Sequence, residues 1–233
     1  MTIEKIISAN EKNFEKWDEQ LQEHWDLPFH SGVTDPQEVS RIFYQTNDLL
    51  YAIAQNFITY GKFKDTWDIS KCSHNVFGQH LYLNSEKLDI NFYWGVDQDT
   101  FYIESFMIHP ENLRHMTDEF WEMLLELKTI GKLELNCPTL LSPELRPFME
   151  NKTSSVFQLI RSFMLQQLEV MKNNPFGAEY QVNLGTLVMK WDFNTPWGQL
   201  LEQSCKAFKM LYSMNYMLWK ISDLNRKKSI NSI

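Results

Sequence analysis

A pair of histidines and several carboxylates, between a predicted hairpin and the helix after it, form the first group that could do chemistry. On one continuous helix, Glu111, His115 and Glu119 would share a face at positions i, i+4 and i+8. Imidazole and carboxylate groups are suitable ligands for a divalent metal ion. Thr117 and Asp118 have the form of a helix cap that would break this face. The sequence therefore favours a solvated acidic helix start over a metal site.

A cysteine and a histidine two positions apart form the second candidate. Cys72 and His74 would lie on the same face of a strand, and His80 follows six positions after His74. A thiolate beside an imidazole is the pair that catalysis by a nucleophilic cysteine requires. No third residue that would orient the imidazole is evident, and no known signature surrounds Cys72. A structural cysteine is therefore the favoured interpretation.

Four carboxylates near the predicted hairpin form the third candidate. Asp89, Asp97, Asp99 and Glu104 could form the acidic pair of a metal-dependent nuclease or of a glycosidase. A nuclease strand of the acid-x-Lys type would need a lysine two positions after Glu104, where the chain has Phe106. Aspartates are also favoured in turns, because their side chains bond nearby backbone N–H groups. We therefore expect a turn rather than a catalytic pair.

The scarcity of glycine excludes the loops that cradle phosphate groups. The chain has 8 glycines in 233 residues, and the two closest lie eight positions apart. Neither the Walker A loop nor G-x-G-x-x-G can be written with that spacing, and the G-x-S-x-G, H-E-x-x-H, EF-hand and kinase signatures are also missing. We expect no cofactor and favour a function other than catalysis. The alternative is a metal-dependent hydrolase that uses a His/carboxylate cluster formed by some of His74, His80, His109 and His115 with nearby carboxylates.

The net charge of −8 conceals an asymmetry along the chain. Residues 1–150 contain 25 acidic and 12 basic residues, a net charge of −13, whereas residues 151–233 contain 5 acidic and 10 basic residues, a net charge of +5. An acidic surface attracts basic partners and repels nucleic acid. The basic cluster Arg226-Lys227-Lys228 is too short to predict a nucleic-acid interface. Packing of the acidic part on the basic part is the alternative explanation.

These charges make a cytosolic protein-binding protein with an acidic surface the leading hypothesis. A natural example would be a bacterial inhibitor or immunity-type protein that masks a basic toxin or enzyme. The aromatic content of 8 Trp, 9 Tyr and 16 Phe also favours a protein built for packing and contact. The candidate surface for the basic protein partner consists of Asp89, Asp97, Asp99, Glu111, Asp118, Glu119 and Glu122.

Five segments have the hydrophobic period of an α-helix. The second helix is predicted to start with Asp35 as N-cap and Pro36 as first helical residue, and Glu38 is placed as the acid of a capping box. Gly61 is predicted to end this helix. The helices are predicted over residues 2–25, 35–60, 117–130, 153–172 and 195–224. The last is apolar on nearly all sides between residues 208 and 221. It is therefore either buried or covered by a partner, and a homo-oligomer formed through this helix is one interpretation.

Five further segments predict strands. Hydrophobic alternation or short apolar runs occur at residues 80–83, 88–96, 100–108, 132–136 and 182–193. Because runs of strands lie beside runs of helices, the order favours an α+β fold with an antiparallel sheet. We expect a hairpin or meander of about four or five strands, covered by amphipathic helices, with a long apolar helix at the C-terminus.

The chain is predicted to form one compact domain over residues 1–233. Prolines interleaved with apolar residues at 137–150 could form a subdomain seam between an acidic α+β part, residues 1–136, and a basic helix-strand-helix part, residues 151–233. Three widely spaced cysteines do not predict a disulfide framework. The N-terminus does not resemble a signal peptide, and the longest strongly apolar run is too short to cross a bilayer. These features predict a cytoplasmic protein that does not associate with membranes.

Overall fold

A computed structural model describes residues 2–14, 17, 19, 35–75, 78–97, 100–136, 160, 163–165 and 185–230. Its α-helices are α1 (Ile3–Asn10), α2 (Pro36–Gly61), α3 (Asp118–Ile130) and α4 (Trp197–Ile230), and 3₁₀ helices occur at Glu11–Phe14 and Pro110–His115. Its strands are β1 (Trp67–Asn75), β2 (Gly78–Ser85), β3 (Ile90–Asp97), β4 (Thr100–Phe106), β5 (Lys132–Asn136) and β6 (Thr186–Asp192).

The six strands of the described part form one antiparallel sheet with helices packed on it. Their order is β1-β2-β3-β4-β6-β5, so the first four strands follow one another as a meander. The register pairs Tyr82 of β2 with Tyr93 of β3, and His80 with Gly95. The predicted α+β class, with an antiparallel sheet covered by helices and a long C-terminal helix, is confirmed.

Strand β1 is the strand that the sequence does not reveal, and it raises the number from the predicted four or five to six. It pairs with β2, but the register shifts between Ser70 and Ser73. Such a bulge interrupts the alternation of side chains on which strand prediction depends. The exposed polar residues Asp68 and Ser70 also make this segment resemble a loop in the sequence.

Helix α2 has the predicted N-cap and first residue, but the Glu38 carboxylate accepts from Arg41 instead of completing a capping box, and the end of the helix also differs. The Asp35 carboxylate accepts a hydrogen bond from the Gln37 backbone N–H at 2.9 Å, which caps the first turn. Gly61 is the last helical residue rather than the left-handed cap, and Lys62 takes the left-handed conformation with φ 50°. A Cβ at Gly61 would collide with the Phe63 ring. Glycine is therefore needed here for close packing rather than for its backbone conformation.

Contacts divide the chain into two compact units, the first comprising Met1–Glu104 and Met189–Lys209 and the second Ser105–Val188 and Met210–Ile233. The proposed seam at 137–150 lies outside the described residues, and so does most of the predicted helix 153–172. The division into a seam and two parts therefore stays a prediction.

An aromatic cluster fills the core of the first unit. The Phe57 ring lies 5.1 Å from the rings of both Trp94 and Phe208, and Phe92 lies 5.0 Å from Phe208. The Trp94 indole N–H donates to the Leu50 carbonyl at 3.1 Å, so its one polar group is satisfied while the ring is buried. These contacts join one face of the β-meander to α2 and to the first part of α4.

A buried polar network organises the second unit. The Asn215 amide donates to the Ser105 hydroxyl at 2.9 Å and to the Leu211 carbonyl at 3.1 Å, and its oxygen accepts from the Ile108 N–H at 3.1 Å. The Asn112 amide donates to the Leu218 carbonyl at 2.9 Å. Two asparagines thus fix the segment after β4 to α4. Much of the apolar surface of α4 is buried within the chain itself, including Phe208, Met210, Leu211, Tyr212, Met214 and Leu218.

Candidate functional site

The outer face of the β-meander carries a cluster of titratable aromatic groups. Strand alternation places His80 and Tyr82 of β2, Tyr93 of β3, and Tyr102 and Glu104 of β4 on the face opposite the core, where each is partly exposed. The His80 ring contacts Tyr82 at 5.0 Å and Tyr93 at 5.6 Å, edge to face, and the rings of Tyr82 and Tyr93 lie 5.2 Å apart. Glycine at position 95 is required opposite His80, because a Cβ there would collide with the His80 side chain.

This cluster is built for packing rather than for proton transfer. Burial lowers the pKa of His80, and the nearby Glu104 carboxylate opposes that shift. Burial raises the pKa of Tyr93, with smaller contributions from Tyr82 and Glu104. The His80 Nε2 atom is buried and has no hydrogen-bond partner among the residues that the structure describes. Its burial leaves this nitrogen poorly placed to act as a general base.

The structure does not test the predicted pair of Cys72 and His74. The side chains of residues 71–75 lie outside the described part of the chain, although their backbone belongs to β1. His80, the third member of that group, contacts the rings of Tyr82, Tyr93 and Tyr102.

The helix start predicted at Thr117 and Asp118 is confirmed, and it breaks the face that Glu111, His115 and Glu119 would share on one continuous helix. Pro110–His115 is a 3₁₀ helix, Met116 is extended, and α3 begins only at Asp118. The chain direction changes between His115 and Glu119, so the i, i+4, i+8 relation does not hold. Within the residues that the structure describes, no group of three or more His, Cys, Asp and Glu side chains could hold a metal ion.

The acidic residues of the candidate surface are distributed over several elements. Asp89 immediately precedes β3 and Asp97 ends it, so the two lie about 25 Å apart along that strand. Asp99 lies outside the described residues. Glu111 is exposed in the 3₁₀ helix, where one carboxylate oxygen lies 3.4 Å from His109 Nδ1. Asp89 and Asp97 are therefore too far apart to contact one small ligand together.

Helix α3 brings together the remaining members of the candidate surface. Asp118, Glu119 and Glu122 are exposed on it, and Glu126, which is not among the candidates from the sequence, extends the same charged face. Its position one turn after Glu122 is the signal that could have identified it. Leu125 lies on this face and is 49% exposed. None of the four carboxylates forms an ion pair with any described residue, and we call these five residues the acidic face.

No helix in the described residues is long and apolar enough to cross a membrane. Comparison of the whole chain with models of protein families, with curated proteins and with solved structures finds no match.

Proposed function

We propose that this chain is a protein-binding protein whose acidic face on α3 binds a basic partner. The finer proposal is that it is an inhibitor or immunity-type protein that masks a basic toxin or enzyme. One observation carries the proposal. No described residue forms an ion pair with Asp118, Glu119, Glu122 or Glu126, and these carboxylates lie beside the exposed Leu125.

Unpaired like charges one turn apart destabilise a helix by a few tenths of a kcal/mol. A lysine between them would relieve that repulsion, and α3 has only Lys128, near its C-terminal end. Neighbouring carboxylates on a helix face are closer together than the Debye length of about 8 Å at physiological salt, so they act on a partner as one negative field. Such a field increases the rate of encounter with a cationic protein.

The exposed leucine adds a contact that charges alone do not provide. Full burial of an exposed leucine gains about 1.5–3 kcal/mol, and Leu125, which is 49% exposed, would gain about half of that in a contact that covers it. Interfaces commonly combine an apolar centre with a charged rim. Here Leu125 would be the apolar centre, and Glu122 and Glu126 would belong to the charged rim.

The experiment is capture of partners by the full chain from an extract of its native host at low salt. The wild type is compared with Glu122→Lys/Glu126→Lys and with the control Glu11→Lys/Glu86→Lys, which changes the net charge equally on other exposed positions. A partner of the acidic face is retained by the wild type and the control and lost by the α3 variant.

The partner is then purified, and its binding is measured directly. We expect the α3 variant to lower the association rate by about tenfold or more at low salt and to show a weaker salt dependence. Capture of no basic protein, or equal binding by the α3 variant and the control, would contradict the proposal.

A further inference from the structure

Two leucines on two helices of the second unit are exposed in surroundings of opposite charge. Leu125 of α3 is 49% exposed, and Leu224 of α4 is 48% exposed. Single exposed leucines are ordinary on protein surfaces. Here, however, one lies among carboxylates and the other among lysines, and both belong to the same chain.

On α3, Asp118 and Glu122 lie seven and three positions before Leu125, and Glu126 follows it. Asp118 and Glu122 share one side of the helix with Leu125 at these spacings, and Glu126 lies one turn after Glu122. Lys128, three positions after Leu125, is the cation on this helix. The negative charge is therefore concentrated on the N-terminal side of the leucine.

On α4, Lys220 lies one turn before Leu224 and Lys228 one turn after it, and both are exposed. Lys227 is on the same side, and its ammonium group lies 2.6 Å from Asp223 Oδ2. Arg226 also contacts Asp223, at 3.0 Å. Among the described residues from Lys220 to Lys228, Asp223 is the one carboxylate and four residues are cationic, so this part of α4 has a formal net charge of +3. We call Lys220, Leu224, Lys227 and Lys228 the basic face.

We propose that the acidic face of α3 binds the basic face of α4 on a second copy of this chain. Leu125 contacts Leu224, and the carboxylates of one copy lie opposite the lysines of the other. The exposure of both leucines shows that the two faces do not cover one another within one copy. This inference goes beyond the proposed function, because it requires no partner other than the chain itself.

The distribution of charge favours antiparallel helices in this contact. Lys227 and Lys228 follow Leu224, and in an antiparallel arrangement they lie opposite Asp118 and Glu122, which precede Leu125. Lys128 then faces a single lysine, Lys220. Each copy carries both faces, so a pair of copies could form the contact twice, as in a symmetric dimer. A basic partner of α3 would compete with the second copy for the acidic face.

Sedimentation equilibrium of the purified full chain tests the proposal. We expect reversible self-association at protein concentrations up to about 100 μM in 0.05 M salt. The dissociation constant should rise by about tenfold or more in 0.5 M salt, because the Debye length falls below about 5 Å. A wild-type chain that is monomeric across this range overturns the proposal.

Charge reversal identifies the two faces. Asp118→Lys/Glu122→Lys places two lysines opposite Lys227 and Lys228 of the other copy. Lys227→Glu/Lys228→Glu places two glutamates opposite Asp118 and Glu122. Each variant alone should associate at least about tenfold more weakly than the wild type, because like charges now meet. Glu11→Lys/Glu86→Lys is the matched control and should associate as the wild type does.

An equimolar mixture of the two reversed variants gives the decisive result. Positive α3 then meets negative α4 and the reverse, so the mixture should regain the association that each variant has lost. Damage to folding cannot produce this rescue. Association of either variant at wild-type strength, or failure of the mixture to associate, overturns the pairing of these faces. Either result leaves binding of a basic partner by α3 to be decided by its own experiment.

Discussion

Replacement of Asn215 by alanine should destabilise the chain strongly. Asn215 is fully buried in α4 and makes three hydrogen bonds, to Ser105, to the Leu211 carbonyl and from the Ile108 N–H. A buried polar group that loses its partner costs about 1–3 kcal/mol. Alanine leaves the Ile108 N–H and the Ser105 hydroxyl without the amide, and it also leaves a small void. We expect a loss of about 3 kcal/mol.

Urea denaturation followed by circular dichroism measures this loss. With a slope of about 2.5 kcal/mol per M, the midpoint should fall by about 1.2 M. Ser213→Ala is the control on the same helix, and its effect should stay within about 0.5 kcal/mol because Ser213 makes no hydrogen bond among the described residues.

A double-mutant cycle with Ser105→Ala tests the network itself. Ser105 is also fully buried, and its hydroxyl donates to the Phe106 carbonyl while it accepts from Asn215. The two substitutions together should cost about 1 kcal/mol less than the sum of their separate effects. Additive effects, or a loss below about 1 kcal/mol for Asn215→Ala, would refute the assignment of Asn215 as the centre of this network.

Three other outcomes follow from the surroundings of His80, Asp65 and Cys205. Burial lowers the pKa of His80, so the unfolded chain binds a proton more readily than the folded chain, and the free energy of unfolding should fall as the pH drops below about 6.5. His80→Phe should remove that part of the pH dependence and leave the free energy of unfolding at pH 7 equal or higher by about 1 kcal/mol. Identical pH profiles for the variant and the wild type in urea titrations would contradict this. Asp65→Ala should cost about 2 kcal/mol in the same titrations, since its carboxylate accepts from the backbone N–H groups of Thr66 at 2.7 Å and Lys87 at 3.0 Å. Burial raises the pKa of the Cys205 thiol, so Cys205→Ser should leave the number of thiols labelled in the native chain unchanged, whereas loss of a labelled site would show that Cys205 is accessible.

The helices and the central strands were predictable because local signals agree with the tertiary structure. Asp35 and Pro36 fix the start of α2, since a side-chain oxygen and a residue without an N–H satisfy the first turn in any surroundings. The alternation of Phe92, Trp94 and Val96 predicts a half-buried strand, and all three are buried in β3. Segment 132–136 was likewise recognised with its observed bounds as β5.

The contacts between distant residues could not be predicted. The pairing of Asn215 with Ser105 joins positions 110 residues apart, and neither residue has a distinctive local pattern. The cluster of His80 with Tyr82 and Tyr93 depends on the register of β2 against β3, which a single sequence does not specify. The same holds for Asp89 and Asp97, which are close in the sequence but lie at opposite ends of β3.

By itself, the sequence determined the α+β class, the approximate positions of most elements and the acidic character of the first 150 residues. Periodicity and composition are properties of short segments, and they retain their meaning before the chain folds. The tertiary structure decided that β1 completes the sheet and that the carboxylates of α3 lie beside an exposed leucine. These features depend on bulges and packing between distant segments, whose energies are settled only when the whole chain is folded.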